Sequence, residues 1–368
     1  MLESPSILMM IGAFFLVLGP LVVVHELGHY LVGRLFGVRA DAFSVGFGKE
    51  LLGYTDRRGT RWKLSALPLG GYVQFAGDMN AASMPDPANA ASPAAGTFQA
   101  AKLWHRALIV LAGPLTNLFL AVAIFAAFNL AYGKPYAPPV INGFAQNSAA
   151  QAAGLQVGDR ITAIAGDKVE SFEDIAKNIM IYPGRTVSIA IDRGGVQQVI
   201  PVTIASVTEQ DRFGNELTRG LIGVSSPRMA FQPVGPIAAV AEGFDQSIGI
   251  MQMMVTGISQ IVTGERSVKE LGGPIKIAKY SGEQLTLGWL SFASFAALIS
   301  INLAFINLLP IPGLDGGHLA FYAAEAVRRK PLGARSQEWA FRTGMALVLG
   351  LMLFVTINDL ASLPIFGR

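Results

Sequence analysis

Within the stretch VVVHELGHYLVG, residues 22 to 33, His25, Glu26 and His29 fall in the spacing H-E-x-x-H. Positions i and i+4 of a helix share one face, so both imidazoles can reach a single metal ion. Glu26 would then stand beside that ion as general base for a water molecule. The run before the motif, Ile7 to Val24, is almost wholly apolar. It is long enough for a helix to cross a bilayer. Ionisable side chains at such a depth are costly and point to function by default.

A second candidate stands near the other end of the chain. Residues 286 to 327 form an apolar stretch too long for one straight span. Pro310, Pro312 and Gly313 must break its helix, and Asp315 follows at once. A carboxylate beside a broken helix at membrane depth reads as functional, although LDGG also suits a cap on the second helical half. The chain has no cysteine and four histidines, His25, His29, His105 and His318, so a metal site here must be completed by carboxylate or water. His25, His29 and Asp315 with a water make an open, tetrahedral zinc site. His318 could share a helical face with Asp315; it reads as packing or hydrogen-bonding, because a catalytic zinc keeps an open position. His105 reads as an interfacial histidine. Asn307 is a candidate to hydrogen-bond a substrate backbone.

Composition sets the surroundings of these residues. Of 368 residues, 52% are hydrophobic and 14% charged, against about 25% charged in a soluble domain. With a mean hydropathy of +0.45 this points to an integral membrane protein. The net charge of +3 is too small to argue for nucleic acid, and no Lys/Arg run carries interleaved aromatics. No basic region and no small-residue cleavage site precede the first apolar run, which reads as a retained span.

In chain order, residues 1–36 carry the first span and the H-E-x-x-H motif, with Pro20 placed to kink it. Arg34, Arg39, Lys49, Arg57, Arg58, Arg61 and Lys63 mark the cytoplasmic side. Residues 37–102 form a cytoplasmic loop; its segment 60–76 reads as a β-hairpin or loop about the Pro68–Gly71 turn signal. That segment is either an ordinary surface hairpin or a re-entrant β-element dipping toward the metal, able to bind an extended peptide by strand addition. Residues 78–97 read as a flexible loop. Residues 103–133 form the second span; Gly113, Pro114 and Asn117 interrupt it and read as packing positions. Residues 137–206 look soluble. Within them Gly166-Asp167 reads as a hairpin turn, and Phe172 to Ile179 as a short helix that Ser171 is placed to cap. Residues 207–285 hold a hairpin around Arg212 to Asn215 and, from Pro236, an amphipathic helix on or beside the membrane; a further span there is the minor alternative. Residues 286–327 are a broken third span and 337–363 a fourth. Four spans put both termini and the 137–206 domain outside. The fold class is therefore a polytopic α-helical membrane protein of four transmembrane helices, with a β-hairpin or loop at the membrane and an inserted α+β domain.

Two resemblances sharpen this. From Ala153 to Gly166 the chain matches the A-G-L-x-x-G-D-x-I-x-x-I-x-G signature of bacterial PDZ domains, which bind extended peptides, often C-terminal ends. The whole chain resembles the site-2 proteases, intramembrane zinc metalloproteases, of the type similar to the bacterial sigma-E regulatory protease. HELGH at 25–29, GPLTN at 113–117, the PDZ-like insert and NLLPIPGLDGGH at 307–318 occur in that family's order. The resemblance implies zinc held by His25, His29 and Asp315, Glu26 as the catalytic glutamate, and Asn307 contacting substrate. It implies cleavage of single-pass membrane proteins, such as trimmed anti-sigma factors or signal-peptide remnants, in the bacterial inner membrane. The chain departs from some relatives in having length for a single PDZ domain.

Two readings compete from other classes. A non-catalytic membrane scaffold whose PDZ-like domain binds partners would have no use for a buried Glu26. A metal transporter would need polar groups along several spans, whereas here they cluster at one depth.

Overall fold

The computed structural model describes residues 5–77, 94–180, 182–210, 216–225, 230–264, 272–330 and 333–362. Its chain divides into two compact units, residues 1–126 with 240–368 and residues 127–239.

The first unit begins with α1, Ile7–Leu35, capped by the Ser6 hydroxyl, which accepts from the Met9 amide. The helix continues through Pro20 to the histidines. Strands β1, Ala40–Thr55, and β2, Arg61–Phe75, follow and pair with each other. Their turn is Asp56–Thr60, not the Pro68–Gly71 signal. The Asp56 carboxylate accepts from the Arg58 and Thr60 amides at 2.8 and 3.0 Å, and Gly59 takes a φ of +87°. Those side-chain bonds make an Asx-type turn that outweighs the proline. Pro68, Gly70 and Gly71 lie inside β2, where the strand bends. The bend splits each strand in two. Ala42–Val45 faces Tyr72–Gln74 and Gly71 on one side and Arg61–Leu64 on the other. Among the described residues the stretch 71–75 is therefore paired along one edge only, by β1. Helix α2, Leu103–Tyr132, completes this part of the chain.

The second unit has a four-stranded sheet as its centre. Its elements are β3 (Lys134–Tyr136), β4 (Gly143–Phe144), α3 (Ala149–Ala152), β5 (Arg160–Ile164), β6 (Asp167–Lys168), α4 (Phe172–Met180), β7 (Thr186–Arg193), β8 (Val196–Thr203), β9 (Ala205–Gln210), β10 (Glu216–Leu221), β11 (Val224–Ser225) and β12 (Ala230–Gln232). The sheet order is β6-β5-β7-β8. Val187, Ile189 and Ile191 alternate along β7 into a core with Ile161, Ile164 and Val202. This α+β arrangement is PDZ-like. It extends past residue 206, because β11 returns to β4 and β12 to β3, and Ile222 enters the core. The β5–β6 turn is centred on Ala165-Gly166, both at positive φ, one residue earlier than the Gly166-Asp167 signal. Ser171 does cap α4, accepting from the Asp174 amide. Residues 78–93 of the expected flexible loop, and residues 211–215 of the expected hairpin, lie outside the described residues.

The remaining helices are α5 (Pro236–Val262), α6 (Pro274–Thr286), α7 (Trp289–Leu308), α8 (Asp315–Arg328) and α9 (Ala334–Ser362). Among the described residues four helices, Ile7–Leu35, Leu103–Tyr132, Trp289–Leu308 and Ser336–Leu360, are long and apolar enough to cross a membrane. The protein is a polytopic α-helical membrane protein. Helix α5 is absent from that set; its Ile250, Met251 and Met254 pack on Ala121 of α2 and on Ala297 and Ile301 of α7. The α7–α8 break spans residues 309–314.

Candidate metal and catalytic site

Close helix approach builds the site. At Gly28 of α1 an added Cβ would stand 2.5 Å from the Ala112 carbonyl oxygen of α2. Thr116 of α2 donates to the Val24 carbonyl of α1 at 3.1 Å. The next close approach is Gly113, whose missing side chain is replaced by the rings of His29 and His25. On the other side, α8 is drawn in by two glycines. Any side chain at Gly316 or Gly317 would strike the backbone of Leu308, Leu309, Ile311 or Pro312. Three turns further along, Glu325 of α8 accepts from Arg106 of α2 at 3.0 Å, and Arg106 also lies over the Tyr322 ring. That half-buried pair ties the helix of Asp315 to the helix that cradles the histidines.

The result brings His25, His29 and Asp315 together across 286 residues of chain. Their ligand atoms lie within 4.8 Å of one another. His25 Nε2 is 3.1 Å and His29 Nε2 3.6 Å from Asp315 Oδ2, and the two nitrogens are 3.2 Å apart. Asp315 is the first residue of α8, but it is not a cap: the N-cap is Leu314, without a side-chain bond. Its carboxylate is spent on the histidines instead.

The far side of each ring decides what faces the centre. His29 donates Nδ1–H to the Ile109 carbonyl at 2.8 Å, so in the neutral ring Nε2 carries a lone pair. His25 Nδ1 is 3.2 Å from the side-chain amide of Asn117, whose Oδ1 is buried without a partner. Turned with that oxygen toward the ring, Asn117 accepts Nδ1–H and frees the Nε2 of His25 as well. Asp315 Oδ2 is buried and accepts no hydrogen bond. Two lone pairs and a carboxylate oxygen then converge, an arrangement that suits a cation between them. A tetrahedral zinc with bonds of about 2.0–2.2 Å sets its ligands about 3.3–3.5 Å apart. The observed separations of 3.1, 3.2 and 3.6 Å lie within a few tenths of an ångström of that spacing.

A cavity of about 280 Å³ opens beside the three donors. Glu26, Asn307 and His318 line it, with Gly70 to Val73 of β2 as one wall. Gly71 packs on Glu26; an added Cβ would stand 3.3 Å from Glu26 Cγ. All five residues singled out from the sequence, His25, Glu26, His29, Asp315 and Asn307, therefore meet at one cavity. His105 does not; it stacks on Phe36 at a ring-centroid distance of 4.2 Å. Gly113 and Asn117, read as packing positions, instead shape and orient the histidines. The signal that could have found them is their spacing. Residues i and i+4 of α2 share one face, as His25 and His29 do on α1.

Comparison with known proteins agrees with this geometry. Residues 13–351 match Peptidase family M50. A protein of Agrobacterium fabrum provisionally named a zinc metalloprotease is 46% identical, over 95% of this chain and 95% of its own. One of Rhizobium meliloti with the same provisional name is 43% identical, over 95% and 96%. The metalloprotease MmpA of Caulobacter vibrioides is 33% identical, over 98% and 97%. Among solved structures, the PDZ domain of an SdrC-like protein from Listeria monocytogenes aligns with 26% of this chain and 90% of its own at 23% identity. Its TM-score of 0.17 carries no argument. A match running from the first span to the last, through both halves of the donor set, places the chain by descent as well as by geometry: it belongs to peptidase family M50.

Proposed function

We propose that this protein is an intramembrane zinc endopeptidase of the site-2 type, hydrolysing peptide bonds within the transmembrane segments of single-pass membrane proteins. The observation that carries the reading is the convergence of His25, His29 and Asp315 beside Glu26 on helices apolar enough to lie in a bilayer. His25, His29 and Asp315 would hold the zinc. Bound there, zinc supplies Lewis acidity, polarising a carbonyl and acidifying a water.

The chain's own residues do the rest. Glu26 takes up the proton of the attacking water and delivers it to the leaving nitrogen. Asn307, at the C-terminal end of α7, hydrogen-bonds the substrate backbone near the scissile bond. A helical substrate hides its carbonyls in its own hydrogen bonds, so the segment to be cut has to be extended. The stretch 71–75 of β2 offers an edge at the cavity for such a segment to add as a strand. Apolar side chains, among them Phe75, Ile109, Val110 and Leu303, line part of the cavity.

The basic residues after α1 and after α8 favour a cytoplasmic placement of those ends in a bacterial inner membrane. The PDZ-like unit and both termini then face the periplasm. The PDZ-like unit is read as a binder of peptide ends, in keeping with substrates trimmed outside before cleavage within the membrane.

The test uses full-length protein in detergent. Zinc content and cleavage of a fluorescent transmembrane peptide are measured for wild type and Glu26→Gln. Equal zinc in both, with cleavage by wild type alone, is the expected result. A Glu26→Gln variant cutting at the wild-type rate would overturn the mechanism. Absence of zinc from both would favour the scaffold reading.

A further inference from the structure

Neither the metal nor the proton transfer gives work to His318, although it stands at the cavity. Helix α8 starts at Asp315, so His318 stands one turn on and on the same face. It lines the cavity with Glu26 and Asn307. It is not a fourth donor, because only His25, His29 and Asp315 among the described residues form the cluster within 4.8 Å.

Its ring is seated but chemically unused. The rings of Phe321 and Tyr322 lie 6.4 and 6.5 Å away, centroid to centroid, the first edge-on. Among the described residues none hydrogen-bonds the imidazole. A neutral imidazole always carries one N–H and one lone pair. Half-buried polar groups left without partners cost stability, so a site that keeps one has a partner arriving from outside the chain. Here the arriving molecule is the substrate.

We propose that His318 donates a hydrogen bond to the carbonyl oxygen of the scissile peptide, a catalytic contact beyond Glu26 and Asn307. The proposal rests on the peptidase reading above. Negative charge grows on that oxygen as water adds, and the His318 N–H loses no proton in the step. A donor fixed in a cavity shielded from bulk water strengthens most where charge develops, so its effect belongs to kcat and not to substrate binding. The seating of the ring by Phe321 and Tyr322 fixes the donor before substrate arrives.

The experiment compares wild type, Glu26→Gln, His318→Phe and His318→Gln as full-length proteins in detergent. Zinc content and zinc affinity are read by elemental analysis and chelator competition, and kcat and KM with a fluorescent transmembrane peptide. His318→Phe should keep its zinc and lose about 10²–10³ in kcat, with KM moved less than about threefold. His318→Gln, which restores an N–H donor, should recover at least a tenth of that loss. Zinc lost from both His318 variants would make it a ligand and overturn the proposal. Unchanged kcat in His318→Phe would reduce it to packing. A wild type that fails to cleave, or a Glu26→Gln that cleaves like wild type, would bring down the peptidase reading itself, whatever the His318 variants do.

Discussion

Gly113 on α2 lies so close beneath the imidazole of His29 on α1 that no methyl group fits between them. The glycine is the floor of the donor set. Gly113→Ala should therefore tilt His29 away from Asp315 and weaken zinc binding by about 10–100-fold, the range found when a group supporting a metal ligand is disturbed. Chelator competition on the purified variant measures this; unchanged affinity would show that the helices separate without cost.

Asn117 is expected to act through His25. Asn117→Ala removes the group that sets the ring's tautomer and should lower zinc affinity by about 10–100-fold. Asn117→Asp, which still accepts Nδ1–H, should retain it. Equal loss in both variants would point to a packing role.

Asp315→Ala should lose metal and activity together. The two histidines alone lack the third donor that a catalytic zinc requires. Full zinc content in this variant would mean that another group completes the site.

A fourth prediction concerns α9. Gly344 packs directly on the Pro312 carbonyl, in the loop that leads to Asp315. Gly344→Ala should cost about 1–3 kcal/mol by overpacking. It should also reduce zinc affinity, since the loop carries Asp315 with it. A lowered melting temperature with intact zinc affinity would separate the two effects and deny the second.

The PDZ-like unit has its own pH dependence. Arg193 holds the Asp159 carboxylate with two hydrogen bonds of 2.7 Å, and the Gln156 amide donates a third. The Arg193 bonds, opposed by burial, keep the Asp159 carboxyl below the usual carboxylate range. A group with a depressed folded-state pKa stabilises fully above its unfolded value, near 4, and loses that contribution as pH falls through the folded value. Hydrogen exchange of β5 and β7 in the full-length protein should thus accelerate below about pH 4. Asp159→Asn should remove that acid dependence and lower stability at neutral pH, because it weakens the charge-assisted hydrogen bonds to Arg193. Identical pH profiles for the two proteins would exclude the pair as the cause.

The parts of the site that carry charge are legible in the sequence. His25, Glu26 and His29 announce themselves by helical spacing, and Asp315 by the cost of a carboxylate among apolar residues. Gly113 and Asn117 did not, because small and amide residues in a span serve helix packing and ligand support with the same side chains. The PDZ-like unit's centre was readable from its signature at Ala153 to Gly166 and its turn signal. Its end was not, because the closing strands β11 and β12 are only two and three residues long and pair with segments some 80 and 95 residues earlier. The hairpin turn was misplaced for a local reason: the Asp56 side chain makes a turn by hydrogen bonding, while Pro68 only bends a strand already committed.

The two halves of the donor set also set a timetable for biosynthesis. His29 leaves the ribosome 286 residues ahead of Asp315. At about 5–20 residues per second, the third donor trails the first two by roughly fifteen seconds to a minute. Throughout that interval α1 is a helix with two histidines and a glutamate but no closed coordination set. The three donors cannot close on one ion until Asp315 has been made and α8 has packed against α2, so the order of synthesis itself delays completion of the site.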